Sequence, residues 1–184
     1  MRVAILDDYQ NVSTELASWS MLAGRAEPVV FTEPFADTDA AAAALAEFPA
    51  IVAMRERTPF PAAMFERLPA LRLLVTTGMR NNAIDMAAAR ERGVTVCGTA
   101  LLPYPAAELT WGLILALARN IPRDSAAMAA GGWQAGPGKP LGRGLNGGTI
   151  GIVGLGKQGR QVAGFANAFG MEVLAWSRSL TETA

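Results

Sequence analysis

Residues 149–177 of this 184-residue sequence read TIGIVGLGKQGRQVAGFANAFGMEVLAWS. The β-branched and apolar run at 149–153 predicts a strand, the segment 161–169 has helical character, and 173–176 predicts a second strand. A strand, a glycine-rich turn, a helix and another strand within about thirty residues are the setting in which such a turn binds a nucleotide. The stretch therefore predicts the first βαβ unit of a Rossmann domain.

The turn after the first of these strands carries Gly154, Gly156 and Gly159 in the spacing G-x-G-x-x-G. The first glycine permits a tight turn, the second lets the backbone approach a pyrophosphate, and the third lets the helix pack on the strand. The unpaired N–H groups of the helix N-terminus attract the phosphates, and Lys157 and Gln158 of the turn are further candidate cofactor-binding residues. A chance match among 19 glycines is the alternative, and the flanking strands argue against it.

The position about twenty residues beyond the turn helps to select between NAD and NADP. An acidic side chain there hydrogen-bonds the ribose of NAD, whereas this sequence has Ser177 followed by Arg178. Because a hydroxyl beside a guanidinium can bind a 2′-phosphate, we expect NADP or NAD as the cofactor, with NADP slightly favoured. A solvated arginine at a strand end is the alternative interpretation of Arg178.

The composition limits the class of protein. Hydrophobic residues make up 51% and charged residues 17% of the sequence, so a sizeable core can form. With 16 basic and 16 acidic residues and no long basic run, we expect no nucleic-acid partner. The apolar segment 109–118 is too short to span a membrane, and the N-terminal residues do not resemble a signal peptide.

The single cysteine and the absence of histidine limit the disulfide, acid–base and metal-binding chemistry that this chain can perform. Cys97 cannot form an internal disulfide, so a cytoplasmic location is expected, and we interpret this residue as a small buried hydrophobic side chain. The sequence contains no histidine, so no histidine of this chain can serve as acid, base or metal ligand. No metal site is predicted.

Short apolar runs alternate with helical segments through residues 1–101. The predicted strands are 3–6, 28–31, 50–54, 71–76 and 94–97. The predicted helices between them are 13–22, 38–48, 61–68 and 83–92, the last of which ends at Gly93. This alternation predicts an α/β fold with a flavodoxin-like, doubly wound parallel sheet and right-handed crossovers.

Ligands of such a sheet bind beyond the carboxyl ends of its strands, which places two loops among the candidates. The loop 55–58 offers the guanidinium groups of Arg55 and Arg57 to an anionic substrate, and an ordinary charged loop is an equal alternative. In the loop 77–82, Gly78 frees backbone N–H groups to hold a carboxylate.

Pro103 and Pro105 interrupt the chain and indicate a crossing into a second domain. The helix predicted at 106–120 is apolar on most of its circumference, so we expect it to be buried between elements or in a subunit interface. Trp111 within it is expected in the core. The glycine- and proline-rich segment 136–148 is interpreted as an ordered connection rather than a flexible linker.

Several of these segments together resemble one family. The helix AAELTWGLILALARN, Trp133 after two glycines, and Leu145 to Thr149 running into GIVGLGKQGR are similar to D-isomer-specific 2-hydroxyacid dehydrogenases. The nearest members are phosphoglycerate dehydrogenase-like and glyoxylate or hydroxypyruvate reductase-like. The resemblance covers essentially the whole chain. It implies a flavodoxin-like substrate-binding domain at 1–101 and the N-terminal, incomplete part of an NAD(P)-binding Rossmann domain at 102–184.

The resemblance also assigns substrate contacts. It implies that backbone N–H groups of the loop formed by Gly78, Met79 and Arg80 hold the substrate carboxylate, and that the loop containing Arg55 lies over the substrate. The family loop commonly reads G-x-G-x-D-N-x-D, and Arg80 stands here in the place of its second glycine. The carboxylate geometry is therefore expected to differ from the family pattern.

For the cofactor, the resemblance implies that Thr110 lies near the nicotinamide, and Gln158 replaces the usual apolar residue of the glycine turn. The catalytic arginine, glutamate and histidine of the family lie well downstream of the second Rossmann strand. No catalytic residue is therefore expected in this chain, and we expect the 184-residue chain alone to show no measurable turnover.

The resemblance implies the N-terminal portion of an oxidoreductase that transfers a hydride between NAD(P)H and a small 2-oxo or 2-hydroxy acid. A homodimer formed through the apolar helix is the expected assembly, and coverage of the same apolar surface by residues outside this sequence is the alternative. A non-catalytic dinucleotide-binding or dimerisation module of the same fold is the alternative. A Rossmann protein for another adenosine ligand, such as S-adenosylmethionine, is a third, for which Ser177 and Arg178 poorly replace the usual acid.

Overall fold

The computed structural model describes residues 1–133, 141–178, 180 and 181. The chain divides into two compact units, Met1–Leu101 and Leu102–Ala184, each with its own buried cluster. Part of the predicted connection 136–148, namely 136–140, lies outside the described residues. Within the described ranges, no helix combines the length and the apolar character needed to cross a membrane.

The first unit is built on a parallel sheet of five strands. The strands are β1 (Arg2–Ile5), β2 (Glu27–Val30), β3 (Ala50–Ala53), β4 (Leu73–Thr76) and β5 (Thr95–Gly98). They pair in the order β2-β1-β3-β4-β5, and every pairing is parallel. This order confirms the predicted flavodoxin-like, doubly wound sheet, whose direction of growth reverses between β1 and β3.

Helices connect these strands. They are α1 (Ser13–Leu16), α2 (Thr38–Leu45), α3 (Ala62–Glu66) and α4 (Met86–Glu91), with a 3-10 helix at Trp19–Leu22. Asp37 caps α2 by accepting a hydrogen bond from the Ala40 N–H at 2.8 Å, and Asp85 caps α4 in the same way. Gly93 follows α4 with a φ of +67°, which confirms the predicted left-handed end of that helix.

The prediction of a single helix at 13–22 is wrong at the centre of that segment. Ala17 is extended, with φ −115° and ψ 141°, and it separates α1 from the 3-10 helix. The Trp19 Nε1–H folds back and donates to the Ser13 carbonyl oxygen at 3.1 Å. The backbone therefore leaves the helical conformation at Ala17, and the Trp19 side chain bonds back across this break.

The core of the first unit lies between α2, α3, α4 and the sheet. Leu45, Met64 and Phe65 from the helices are fully buried and cluster with Ile51 and Leu74 from the central strands. Burial of one such side chain contributes about 1.5–3 kcal/mol. This packing fixes the positions at which the strands end, and the candidate substrate residues follow those ends.

The second unit contains the predicted βαβ arrangement. Its elements are α5 (Pro105–Ala118), α6 (Ile121–Ala129), β6 (Thr149–Val153), α7 (Lys157–Ala168) and β7 (Glu172–Trp176). The strands β6 and β7 pair in parallel and α7 joins them, which confirms the βαβ prediction. Trp111 of α5 packs on Phe165 and Phe169 of α7 and its C-cap, with ring centroids 5.9 and 5.0 Å apart, so its core position is confirmed.

Two expectations about burial are wrong. Cys97 is exposed, because Val96 packs against the core and the alternation of β5 turns the next side chain to the opposite face. On α5, Leu109, Leu113 and Leu117 are 65%, 61% and 83% exposed, so this face is not buried between elements. Burial of this face in a subunit interface stays a prediction.

Candidate functional site

The predicted cofactor residues lie in the second unit and the predicted substrate residues lie in the first. Apart from Thr110 on α5, the residues of each group follow the carboxyl ends of parallel strands, the edge at which open α/β sheets bind ligands. Throughout the described part of the chain, no group of three or more thiol and carboxylate side chains is placed to hold a metal ion.

The glycine turn closes between β6 and α7. Gly154 has a φ of +102°, in the region that glycine adopts most readily, and its N–H donates to the Trp176 carbonyl oxygen at 2.6 Å. A Cβ added at Gly159 would overlap the carbonyl oxygen of Gly154 and would lie 3.2 Å from Cγ2 of Ile152. The conformation and packing of the protein therefore require glycine at both positions.

Gly156 has a different role. Its φ of −81° and ψ of −160° suit any residue, and a Cβ added there would meet nothing within 4 Å. It is the N-cap of α7 and provides no side-chain cap. Among the described residues, the N–H groups of Lys157 and Gln158 have no acceptor. The start of α7 therefore offers hydrogen-bond donors to open space, an arrangement that binds phosphate oxygens.

Ser177 and Arg178 directly follow β7. Because the Trp176 carbonyl oxygen accepts the Gly154 N–H, this strand end and the glycine turn lie at the same edge of the two-stranded sheet. The Ser177 side chain is half-buried and Arg178 is exposed. A hydroxyl and a guanidinium therefore follow the second strand, at the position where this class of fold binds the ribose.

The second unit carries two further polar side chains of interest, Thr110 on α5 and Gln161 on α7. Thr110 is exposed on α5, and its hydroxyl donates to the Ala106 carbonyl oxygen at 2.7 Å. The Gln161 Nε2–H donates to the Pro103 carbonyl oxygen at 2.7 Å and so ties α7 to the segment that leads into α5. Sequence reasoning missed Gln161, because this contact joins residues 58 positions apart and no local pattern signals it.

In the first unit, the structure brings Arg55 and Gly78 together. Arg55 has a φ of +53°, which is uncommon for a residue with a Cβ, and its N–H donates to Oγ1 of Thr77 at 3.2 Å. Its guanidinium lies over Gly78, where an added Cβ would overlap Nη1. The ion pair of Arg55 with Glu56 is 3.6 Å long and exposed, so water weakens it.

The donors of the Gly78 loop are fewer than the sequence indicates. Gly78 has a φ of +113°, and its N–H donates to Oγ1 of Thr99 at 2.9 Å, so the protein itself uses this donor. A Cβ added at Gly98 would lie 2.7 Å from the Gly78 carbonyl oxygen, which shows how closely β5 approaches the loop. The N–H groups of Met79 and Arg80 have no acceptor among the described residues and remain available.

Arg57 is engaged in the fold. Its Nη1–H donates to the Asp7 carbonyl oxygen at 2.7 Å, and its guanidinium carbon lies 4.5 Å from the centroid of the Tyr9 ring. The buried Asp7 carboxylate accepts hydrogen bonds from Oγ1 of Thr58 at 2.8 Å and from the Tyr9 hydroxyl at 3.2 Å. Partial burial, followed by the nearby Asp7 carboxylate, raises the pKa of Tyr9. These contacts tie Arg57 to the end of β1, and a role for it in binding an anionic substrate stays a prediction.

Comparison with known proteins agrees with this arrangement. Residues 111–184 match the family model described as D-isomer specific 2-hydroxyacid dehydrogenase, NAD binding domain. The sequence is 35% identical over 135 residues to a hydroxypyruvate reductase of Thermotoga maritima, which covers 72% of this chain and 43% of that protein. It is 35% identical over 127 residues to a D-3-phosphoglycerate dehydrogenase of Methanocaldococcus jannaschii, covering 68% of this chain and 24% of that protein.

Solved structures give the same result. The crystal structure of a phosphoglycerate oxidoreductase from Vibrio cholerae O395 superposes with a TM-score of 0.86 at 41% identity, over 97% of this chain and 56% of that chain. The chain belongs to the D-isomer-specific 2-hydroxyacid dehydrogenase family. It spans 43%, 24% and 56% of the length of the three relatives described here.

Proposed function

We propose that this protein takes part in hydride transfer between a nicotinamide dinucleotide and a small 2-oxo or 2-hydroxy acid. The nicotinamide carries the hydride, and the protein contributes binding, orientation and the local electrostatic environment. By their names, two relatives act on hydroxypyruvate and on D-3-phosphoglycerate. We propose acids of this class as substrates.

The observation that carries the proposal is the glycine turn of the second unit. Gly159 packs directly on Gly154, while Gly156 and the N–H groups of Lys157 and Gln158 face open space. A turn that is closed by its own packing and leaves its donors unused is suited to a dinucleotide pyrophosphate. By the family resemblance, Thr110 is proposed to lie near the nicotinamide.

In the first unit, the N–H groups of Met79 and Arg80 are proposed to bind the substrate carboxylate. The Arg55 guanidinium, lying over Gly78, supplies a further charged contact. Hydrogen bonds from such donors to a carboxylate are stronger than those between neutral groups. A cavity of about 280 Å³ beside Met79 and Arg80 gives room for a small acid.

We further propose that the cofactor site prefers NADP to NAD. The support is the pair Ser177 and Arg178 after β7, where an acidic residue would repel a 2′-phosphate. The exposed Arg178 guanidinium can donate to that phosphate, and the Ser177 hydroxyl can add a second hydrogen bond.

Separate calorimetric titrations with NADPH and NADH test these proposals. We expect NADPH to bind about fivefold more tightly or better, and Arg178→Ala to remove the difference. Arg90→Ala deletes an exposed arginine of the first unit and should keep the difference. Binding of neither cofactor at about one millimolar would contradict the dinucleotide site, whereas equal binding would contradict only the NADP preference.

We also propose that the protein forms a homodimer in the cytoplasm. The exposed leucine face of α5 supports the dimer, because a large apolar surface on a helix favours association. The single cysteine supports a reducing compartment, since it cannot form a disulfide within the chain.

A further inference from the structure

The left-handed conformation of Arg55 is held by side chains of the Gly78 loop. The Arg55 N–H donates to Oγ1 of Thr77 at 3.2 Å, and the Arg55 carbonyl oxygen accepts a hydrogen bond from Nδ2 of Asn81. This backbone region is disfavoured for a residue with a Cβ and persists only where its surroundings over-determine it. Here, both polar groups of the Arg55 backbone are bound by side chains of one neighbouring loop.

The Asn81 amide connects Arg55 to the sheet. Its Nδ2 also donates to Oγ1 of Thr76 at 3.0 Å, and its Oδ1 accepts the Ala83 N–H at 2.9 Å. Thr76 is buried at the last position of β4, within the five-stranded sheet. The amide is therefore anchored to the sheet and to its own loop while it holds the Arg55 carbonyl oxygen.

The direction of the Arg55 side chain depends on this backbone conformation. With a φ of +53°, the side chain crosses Gly78 so closely that an added Cβ would overlap Nη1. At the ordinary negative φ, the Cα–Cβ bond would point elsewhere and the guanidinium would leave the loop. The Arg55 side chain retains 45% exposure and is therefore accessible to an anion in the loop.

We propose that Asn81 is a positioning residue of the substrate site. It holds Arg55 in the left-handed conformation that places the guanidinium over Gly78, next to the donors of Met79 and Arg80. Asn81 lines the cavity beside Met79 and Arg80, but its amide nitrogen and oxygen are already hydrogen-bonded within the protein, so it acts through Arg55 rather than on the substrate. The inference rests on the proposed function, because it requires that a carboxylate bind at this loop.

A double-mutant cycle on carboxylate binding tests this role. Oxalate, an unreactive analogue of a 2-oxo acid, is titrated calorimetrically into the protein and into Asn81→Ala, Arg55→Ala and the double variant. We expect each single substitution to weaken oxalate binding about tenfold, and Asn81→Ala to add less than about twofold in the Arg55→Ala background. Additive losses would overturn the role, because Asn81 would then act independently of Arg55.

The matched control is Asn167→Ala. This exposed amide lies on α7 of the second unit, outside the cavity beside Met79 and Arg80, so its removal should leave the affinity for oxalate unchanged. A loss equal to that of Asn81→Ala would show that removing an amide weakens binding in general and would overturn the role.

The crystal structure of Asn81→Ala gives a readout that needs no ligand. We expect Arg55 at a negative φ with its guanidinium displaced from Gly78. A left-handed Arg55 still lying over Gly78 overturns the positioning role and leaves the proposed function intact. Failure of the unaltered protein to bind oxalate overturns the proposed substrate site and this role together.

Discussion

Gly156 allows cofactor binding to be separated from folding. Its backbone conformation suits alanine and its surroundings are open, so Gly156→Ala should leave the thermal unfolding midpoint unchanged. The added methyl would occupy the space into which the pyrophosphate must come, and we expect the affinity for NADPH and NADH to fall about tenfold or more. Calorimetric titration and thermal unfolding followed by circular dichroism measure the two effects.

Gly164→Ala is the matched control for that experiment. It makes the same substitution within α7, where an added Cβ also meets nothing within 4 Å. We expect unchanged cofactor affinity and a gain in stability of about 0.5–1 kcal/mol, because glycine is a poor residue inside a helix. Equal affinities in all three proteins would refute the assignment of Gly156 to the pyrophosphate.

Asp8 links the stability of the first unit to pH. Hydrogen bonds from Ser13, and with smaller effect from the Val12 N–H, lower the pKa of its carboxyl from the ordinary value of 3.8. A lowered native pKa gives stability that is present above the unfolded value and is lost as the pH falls through the native value. Asp8→Asn should therefore reduce the denaturation midpoint at pH 7, and the difference should shrink as the pH falls below about 3.8.

Urea unfolding at several pH values measures this effect. Glu91→Gln, which removes an exposed carboxylate of α4, is the control and should show little difference at any pH. A difference for Asp8→Asn that does not shrink at all as the pH falls below about 3.8 would mean that the ionised carboxylate is not what stabilises the start of α1.

At the scale of elements, α5 presents an apolar face that the described chain leaves exposed. Leu109, Leu113 and Leu117 are spaced one helical turn apart and form a continuous stripe. If the proposed dimer forms through this stripe, Leu113→Glu should convert it to a monomer, because an unpaired carboxylate in an apolar interface is costly. Sedimentation velocity at several protein concentrations measures the change.

Leu16→Glu is the corresponding control. Leu16 is 82% exposed on α1 of the first unit, outside the α5 stripe, so the same substitution there should leave the assembly state unchanged. A monomeric unaltered protein at high concentration would count against the interface.

At the scale of the whole molecule, we expect this chain to bind the cofactor without catalysing hydride transfer. The 184 residues contain no histidine to supply the acid–base group that the family resemblance implies. We expect this chain alone to bind a dinucleotide but to show no steady oxidation of NADPH or NADH with glyoxylate or hydroxypyruvate. Absorbance at the nicotinamide band measures the rate, and steady oxidation above the protein-free rate would refute the expectation.

Local sequence patterns were sufficient to predict the fold class. They predicted the first and last residues of the helices and strands only approximately. Short β-branched runs alternating with helical segments predict parallel strands, because each strand is buried on both faces and needs a crossover. The pattern located β6 at its observed bounds but placed the start of α7 at 161 rather than Lys157. The sequence pattern does not indicate the first turn of α7, because Gly156 and Gly159 lie there and glycine has a low intrinsic helix propensity.

The candidate site could be predicted only in part. The sequence indicates that Arg55 and Gly78 follow neighbouring strands, and the structure brings them together. It does not indicate that Thr99 takes the Gly78 N–H or that Arg57 binds the Asp7 carbonyl oxygen. Those contacts join residues 21 and 50 positions apart, and only the packed sheet brings them within reach.

The sequence by itself determined the parallel α/β architecture, the glycine turn between β6 and α7 and the family, because these depend on periodicity and on glycine spacing within short segments. Only the tertiary structure decided which donors remain available, which arginine is engaged in the fold, and that Cys97 and the α5 leucines are exposed. The physical reason is that burial and hydrogen-bond satisfaction depend on neighbours from distant parts of the chain, which local patterns do not specify.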